Sequence, residues 1–277
     1  MCLYIASLNS GSNGNCYYIG NEDEAVLIDA GISCRETERR MKRLGLLIKK
    51  VKAIFVSHEH ADHISGIPVL SKKHQLPVYI TEGTLQYSGL TIEQHLINSF
   101  CAYMPVNIGK LSITAFSKHH DANDPHSFIV ECNAVKIGVF TDMGTACEHV
   151  TKHFKQCHAA FLEANYDDEM LATGRYPYHL KQRIRSTKGH LSNNDALQLF
   201  LAHKSPCMSH LILSHLSKNN NRPEIVQQLF DVYAGATKII VASRYKETSV
   251  YQINGISTHI VDISKPIKQK HAQLSLF

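Results

Sequence analysis

Apolar residues along this chain fall into short runs closed by glycine or polar residues, the pattern of buried strands in an α/β protein. Leu3 to Leu8, Tyr17 to Ile19, Ala25 to Ile28 and Ala53 to Val56 are such runs. Between the last two, Met41 and Leu44 stand among charged neighbours at helical spacing, which predicts a helix over Arg35 to Leu46. A second helix is predicted from just after Asp62 to Lys73, then a strand at Val78 to Ile80, so the first half alternates strand and helix.

Strands dominate the middle of the chain, at Leu111 to Phe116, Ser127 to Cys132 and Val135 to Phe140. The turn-like Asn133 separates the last two, so they pair antiparallel and make the sheet mixed. Beyond them the pattern predicts a strand at Ala159 to Leu162, helices at Tyr178 to Ser186 and Asn193 to His203, a strand at Leu211 to Ser214, a helix at Pro223 to Tyr233, and strands at Lys238 to Ala242 and Val250 to Ile253. Ser192, with Asp195 three positions on, reads as a capping-box-like helix start and leaves Gly189-His190-Leu191 in the preceding loop. No low-complexity linker interrupts the chain, which reads as one domain over residues 1–264 with a tail from Lys265 to Phe277.

Composition narrows the class. No stretch approaches the ~18 apolar residues of a membrane span, and Met1 to Ala6 has neither a basic lead nor a sustained apolar run, so the expectation is a cytoplasmic protein with no membrane partner. Eight scattered cysteines without a Cys-x-x-Cys pair argue against a disulfide framework or a cysteine zinc site, and most read as small buried hydrophobes. Eighteen histidines call for an explanation, because histidine is the commonest metal ligand. The net charge of +5 suits a polyanionic substrate better than a cationic one but selects no function by itself.

The histidines concentrate where an apolar strand, Ile54-Phe55-Val56, ends in Ser57-His58-Glu59-His60-Ala61-Asp62-His63. One histidine there would be read as structural. The whole His-x-His-x-Asp-His cluster has no structural need behind it, and in an extended turn His58 and His60 can face one cation while Asp62 and His63 face a second. Two cations need more ligands than one loop supplies. The same apolar-strand-then-ligand pattern recurs at His120 after Leu111 to Phe116, at Asp142 after Val139-Phe140-Thr141, and at His215 after Leu211 to Ser214. Alone, Asp142 would pass for a helix N-cap and His215 for a solvated loop residue.

With these residues assembled in order, and with Asp29 in Leu27-Ile28-Asp29-Ala30-Gly31, the chain resembles the metallo-β-lactamase superfamily over nearly its whole length. The resemblance implies a four-layer αβ/βα sandwich of two mixed sheets with a two-metal site at one edge. It implies His58, His60 and His120 on one metal, Asp62, His63 and His215 on the other, Asp142 bridging, and Asp29 orienting the cluster from behind. His119 competes for the place given to His120, which the His120-Asp121-Ala122 sequence favours. Further motifs narrow the branch: Ser10-Gly11-Ser12-Asn13-Gly14-Asn15, Glu163-Ala164-Asn165-Tyr166-Asp167, Tyr176-Pro177 with Leu180-Lys181 and Arg183-Ile184, Gly189 to Asn193, and His215-Leu216-Ser217. They resemble the YycJ/WalJ-type proteins, a branch related to RNase Z and phosphodiesterase members and associated with DNA exonuclease activity. Tyr166 departs from the histidine expected in that loop.

The resemblance implies a phosphodiesterase or nuclease acting on DNA from an end through a hydroxide bridging two divalent metals, zinc or manganese, with iron also possible. Asp62 would steer the proton of the attacking water, His190 would protonate the leaving oxygen, and Glu163 would keep His190 charged. A loop histidine and a strand-end carboxylate are the plainer readings of those two. Lys181, Arg183, Arg185 and Lys188 put four positive charges just before His190, suited to a nucleic-acid backbone, although such a run is ordinarily a solvated helix face. Ser10 to Asn15 reads equally as a phosphate-binding nest or a polar turn. No aromatic-rich stacking platform is evident. The competing functions are a thioester or lactone hydrolase of the same fold, against which the basic run and Gly189-His190-Leu191 weigh, and a non-catalytic nucleic-acid-binding scaffold, against which the full ligand set weighs. Histidine at position 60, where flavodiiron members carry glutamate, favours hydrolysis over redox chemistry.

Overall fold

A computed structural model describes residues 2–255. The predicted domain end at residue 264 and the tail Lys265 to Phe277 lie outside the described residues. In chain order the strands are β1 (Cys2–Asn9), β2 (Cys16–Gly20), β3 (Ala25–Ile28), β4 (Val51–Phe55), β5 (Val78–Tyr79), β6 (Ile97–Asn98), β7 (Pro105–Ile108), β8 (Leu111–Ser117), β9 (His126–Cys132), β10 (Val135–Phe140), β11 (Ala159–Glu163), β12 (His210–Ser214), β13 (Lys238–Val241) and β14 (Tyr251–Asn254). The helices are α1 (Cys34–Arg43), α2 (Ala61–Ile64), α3 (Ile67–His74), α4 (Glu82–Ser88), α5 (Glu148–Phe154), α6 (Asp168–Thr173), α7 (Tyr178–Arg185), α8 (Asn193–His203) and α9 (Pro223–Asp231).

Two seven-stranded sheets result, ordered β14-β1-β2-β3-β4-β5-β6 and β13-β12-β11-β10-β9-β8-β7. Hairpins make β1–β2–β3 and β7 through β10 antiparallel, and helical crossovers make β3 through β5 and β10 through β13 parallel. The apolar runs are continuous rather than alternating because both faces of each sheet are covered. Alternate residues such as Val26, Ile28, Phe55, Phe161 and Ile212 fill the core between the sheets. Their neighbours split to the two outer sides: Leu27, Ile54 and Val56 pack under α1 and α3, while Ala160, Leu162, Leu211 and Leu213 pack under α5, α8 and α9. The expected αβ/βα sandwich is therefore the observed fold. Among the described residues no helix is long and apolar enough to cross a membrane.

The helix predicted to run to Lys73 divides into α2 and α3 at Gly66, where a Cβ would lie 1.9 Å from the Ile32 carbonyl oxygen. Helix α1 stops two residues before Gly45 takes a φ of 70°. At α8, Ser192 Oγ accepts from Asp195 N (3.0 Å), but the Asp195 carboxylate reaches back to the serine hydroxyl (2.7 Å) rather than to its backbone. β6, β7, α4, α5 and α6 had no sequence signal of their own: the helices run only six or seven residues, and β6 and β7 are edge strands with half-exposed patterns. Four of the eight cysteines are buried and free.

Phe161 is fully buried at the middle of the inter-sheet core, with its ring centroid 4.8 Å from that of Tyr17 across the sandwich. Phe161→Ala is expected to cost about 3–5 kcal/mol of unfolding free energy in urea titrations; a loss under 1 kcal/mol would contradict this account of the core.

Candidate metal centre

The residues singled out as ligands all follow the C-terminal ends of strands, His58 to His63 after β4, His120 after β8, Asp142 after β10 and His215 after β12, and so does the orienting Asp29 after β3, with Glu163 the last residue of β11. Asp29, Asp142 and His215 adopt φ values of 60°, 54° and 57°. Each left-handed residue costs about 1–3 kcal/mol without a glycine. That cost turns the side chain sharply off the strand end, towards the gap between the two sheets.

Around this gap the imidazoles are oriented from behind. Nδ1 of His63 meets Asp29 Oδ2 (2.7 Å), Nδ1 of His58 meets Ser57 Oγ (2.9 Å), Nδ1 of His120 meets the Gly189 carbonyl (3.1 Å), and Nδ1 of His215 lies 3.3 Å from Glu163 Oε1. With Nδ1 occupied, each ring presents Nε2 inward, as a metal-ligating histidine does. His60 differs in pointing Nδ1 inward, 3.1 Å from His58 Nε2 and 3.3 Å from His120 Nε2. These three nitrogens form one donor group, and Asp62, His63 and His215 form another. Asp142 lies between the groups, Oδ2 3.1 Å from His63 Nε2 and Oδ1 3.4 Å from His215 Nε2 and 3.9 Å from His120 Nε2. His119 is exposed, whereas His120 is buried in the cluster.

The electrostatics demand positive charge here. Burial works to raise the Asp142 carboxyl, but His215 and His63 outweigh it and hold it well below the usual carboxylate range. Burial also opposes ionisation of Asp62, and His63 and His215 again prevail, leaving it at about 2. Burial depresses His63, yet Asp142, Asp29 and Asp62 lift it to about 10; His215 is raised in the same way, chiefly by Asp142. Burial, reinforced by neighbouring positive groups such as Lys118, pushes His58 well below its usual range and brings His120 to about 4, so these two are neutral donors. Asp142 Oδ2 is buried and makes no hydrogen bond, although His63 Nε2 is 3.1 Å away. An unpartnered carboxylate oxygen facing converging imidazole nitrogens fits a divalent cation.

His190, from the loop between α7 and α8, completes the rim. Its Nδ1 bonds Glu163 Oε1 (2.7 Å), its ring stacks 5.3 Å from that of His215, and its side chain is 24% exposed. Glu163 is fully buried; its other oxygen accepts from Met143 N (2.6 Å), so the carboxylate is satisfied without a cation. Burial would raise its carboxyl, but His190 overrides this and lowers it. A cavity of about 200 Å³ opens here, lined by His190, His215, Arg183, Tyr176, Asn165 and Ser12 among others.

Of the four basic candidates, only Arg183 lines this cavity, clamped by Asp121 at 2.5 Å. Lys181 and Arg185, one turn apart on α7, donate to the Ala172 and Asp168 carbonyls of α6, and Lys188 is exposed outside the lining. Residues whose supporting role sequence reasoning missed stand behind the ligands. Asn15 is fully buried, its amide nitrogen 3.0 Å from His63 Nε2 and 3.2 Å from Asp62 Oδ2, and its oxygen accepts from Gly11 N (2.9 Å) and the Tyr17 hydroxyl (3.2 Å). Ser10 Oγ accepts from His215 N at 2.7 Å. The Ser10 to Asn15 segment thus buttresses the centre instead of acting as a free turn. Buried Lys118 donates to the Thr141 carbonyl (2.6 Å), just before Asp142. Tyr166 is buried and pairs with Ser192 rather than entering the centre.

Residues 24–216 match the family model described as a Beta-lactamase superfamily domain. The chain is 35% identical to the "Exodeoxyribonuclease YycJ" of Bacillus anthracis, over 82% of this chain and 87% of that protein. The chain belongs to the metallo-β-lactamase superfamily. Within it the resemblance is to the YycJ/WalJ group: the "Exodeoxyribonuclease WalJ" of Streptococcus pneumoniae is 31% identical, over 79% of this chain and 83% of that protein. The metallo-β-lactamase fold protein YhfI from Bacillus subtilis superposes with a TM-score of 0.70 at 17% identity, covering 91% of this chain and all of that one. As a member of this superfamily, the protein is a metal-dependent hydrolase.

Gly31 is wedged into this member's centre: its N–H donates to Asn15 O (2.8 Å), and a Cβ on it would lie 1.7 Å from the Asp62 carbonyl oxygen. Gly31→Ala must displace the Asp62–His63 turn. It is expected to lower the Zn²⁺ or Mn²⁺ retained after dialysis, by elemental analysis, in a protein that still folds by circular dichroism. Unchanged metal content would refute this packing.

Proposed function

We propose that this hydrolase cleaves phosphodiester bonds of DNA from a strand end, using two divalent cations. His58 Nε2, His60 Nδ1 and His120 Nε2 would hold one; Asp62, His63 and His215 would hold the other; Asp142 would serve both, with Asp29 fixing His63. Imidazoles mixed with carboxylates suit Zn²⁺ or Mn²⁺. Bound there, the cations supply an acidified attacking water and neutralise charge building on a phosphoryl oxygen.

The observation that carries the reading is the His190–Glu163 pair at the cavity rim, 2.7 Å apart. Glu163 takes Nδ1–H of His190, which leaves Nε2 for the cavity the ring lines. So held, His190 in its protonated form donates its Nε2 proton to the departing deoxyribose oxygen, a demand that phosphodiester cleavage makes strongly. Asp62, ionised at about 2, orients the attacking water rather than storing a proton. Arg183, held in the lining by Asp121, meets a non-bridging phosphate oxygen. The two relatives named exodeoxyribonucleases support DNA as the polymer and an end as the point of attack.

End-labelled single- and double-stranded DNA, incubated with Mn²⁺ or Zn²⁺, tests the proposal. Wild-type protein is expected to shorten the label stepwise, His60→Ala to lose metal and activity together, and His190→Ala to keep its metal while kcat falls by about 10²–10⁴. A metal-replete wild type that leaves all DNA intact would overturn the reading and direct attention to thioesters and lactones.

A further inference from the structure

A second cavity, of about 230 Å³, lies beside the first, across the His215-Leu216-Ser217 turn. Ser217 lines both, and Ser12 of the first accepts a hydrogen bond from Arg244 Nη2 of the second (3.0 Å). The second cavity is lined by Leu216, Ser217, Lys218, Ser243, Arg244 and Tyr245 among others, and among the described residues no carboxylate belongs to its lining. Arg244 donates to neutral acceptors, Ser12 Oγ and the Leu216 carbonyl (3.5 Å). Tyr245 is 72% exposed, yet its backbone is anchored: its carbonyl accepts from buried Arg40 (3.2 Å), and two residues on Glu247 pairs with Arg43 at 2.6 Å. A loop held at two points thus presents an exposed aromatic face in a cavity that Lys218 and Arg244 also line.

We propose that this cavity is a second nucleotide subsite, which takes the nucleotide next to the scissile phosphate by stacking its base on Tyr245 and pairing its phosphate with Lys218 and Arg244. The inference rests on the phosphodiesterase reading of the centre and adds how the polymer is held. Each cavity is smaller than the ~300 Å³ at which compact small-molecule sites begin, and two contiguous small cavities flanking one reacting position match an extended ligand better than a compact one. Positive charge with an exposed aromatic ring is how single-stranded nucleic acid is gripped without sequence preference. A base stacked on Tyr245 is unpaired, so the subsite favours single strands or frayed ends.

The test uses the full-length, metal-loaded protein and two substrates: a single-stranded DNA oligomer and bis(p-nitrophenyl) phosphate, which carries neither a nucleobase for Tyr245 nor a second phosphate for Lys218 and Arg244. Tyr245→Ala and Lys218→Ala are expected to raise KM for the oligomer on the order of tenfold, with kcat/KM for bis(p-nitrophenyl) phosphate within twofold of wild type. Tyr245→Phe is expected to restore the KM, and Lys218→Ala to flatten its salt dependence. If wild type cleaves DNA and the KM of both alanine variants is unchanged, or if both lose the small substrate equally, the subsite is refuted. If wild type hydrolyses the small diester but no DNA, the reading of the centre fails and the subsite with it.

Discussion

The structure depends on burying negative charge at the edge of a β-sandwich. Asp29, Asp142 and Glu163 are at most 2% exposed, and Asp62 stands beside them. Isolated carboxylates cannot be kept ionised in such a place, where effective desolvation penalties are several kcal/mol per ion. Positive charge and donors must be supplied, and most polar features of this region do so: the Ser57 amide and hydroxyl on Asp29, Met143 N and His190 on Glu163, His215 on Asp142 Oδ1. Asp142 Oδ2 is left over, and it faces the converging imidazoles. Support of the scaffold and readiness for a cation are in this sense one arrangement.

Sheet topology makes the arrangement affordable. Parallel strands with buried crossovers end together at one edge, so residues distant in sequence arrive side by side without long loops. The left-handed residues after β3, β10 and β12 spend stability to aim side chains into the gap. The Ser10–Asn15 segment then braces both sheets at once, with Asn15 against Asp62 and His63 and Ser10 against the His215 amide. A third donor group, Cys34, Glu38 and His74, shows the contrast: there Glu38 is already satisfied by Lys73 (2.7 Å) and His74 (2.6 Å), so the helices are stapled by ion pairs with no oxygen left unpartnered.

Much was legible in the residues alone, for physical reasons. Strands buried on both faces leave continuous apolar runs, so the long strands could be read, while the two-sheet sandwich came from the family resemblance of the motifs. Ligand-type residues placed just past those runs marked His58 to His63, His120, Asp142 and His215, because a strand end is where the backbone stops hydrogen-bonding and a side chain is freed; Asp29 came with the family resemblance. Short edge strands and helices of six or seven residues were not readable, since their pattern is briefer than one period of evidence. Local order also left His119 and His120 indistinguishable by residue type; the β8 register and the turn after it bury one and expose the other. The run from Lys181 to Lys188 read as four equivalent charges, yet helical rotation gives Lys181 and Arg185 one face towards α6 and Arg183 the other towards the cavity.

The sequence by itself determined which chemistry the protein carries, because donor type and its position after a strand are local properties. Only the tertiary structure decided which nitrogen of each histidine faces inward, which carboxylate oxygen stays unpartnered, and which asparagine and serines hold the centre. Those outcomes depend on partners tens to hundreds of residues away, such as Asp29 with His63, Glu163 with His190 and Ser10 with His215, which meet only when two sheets close on a common core.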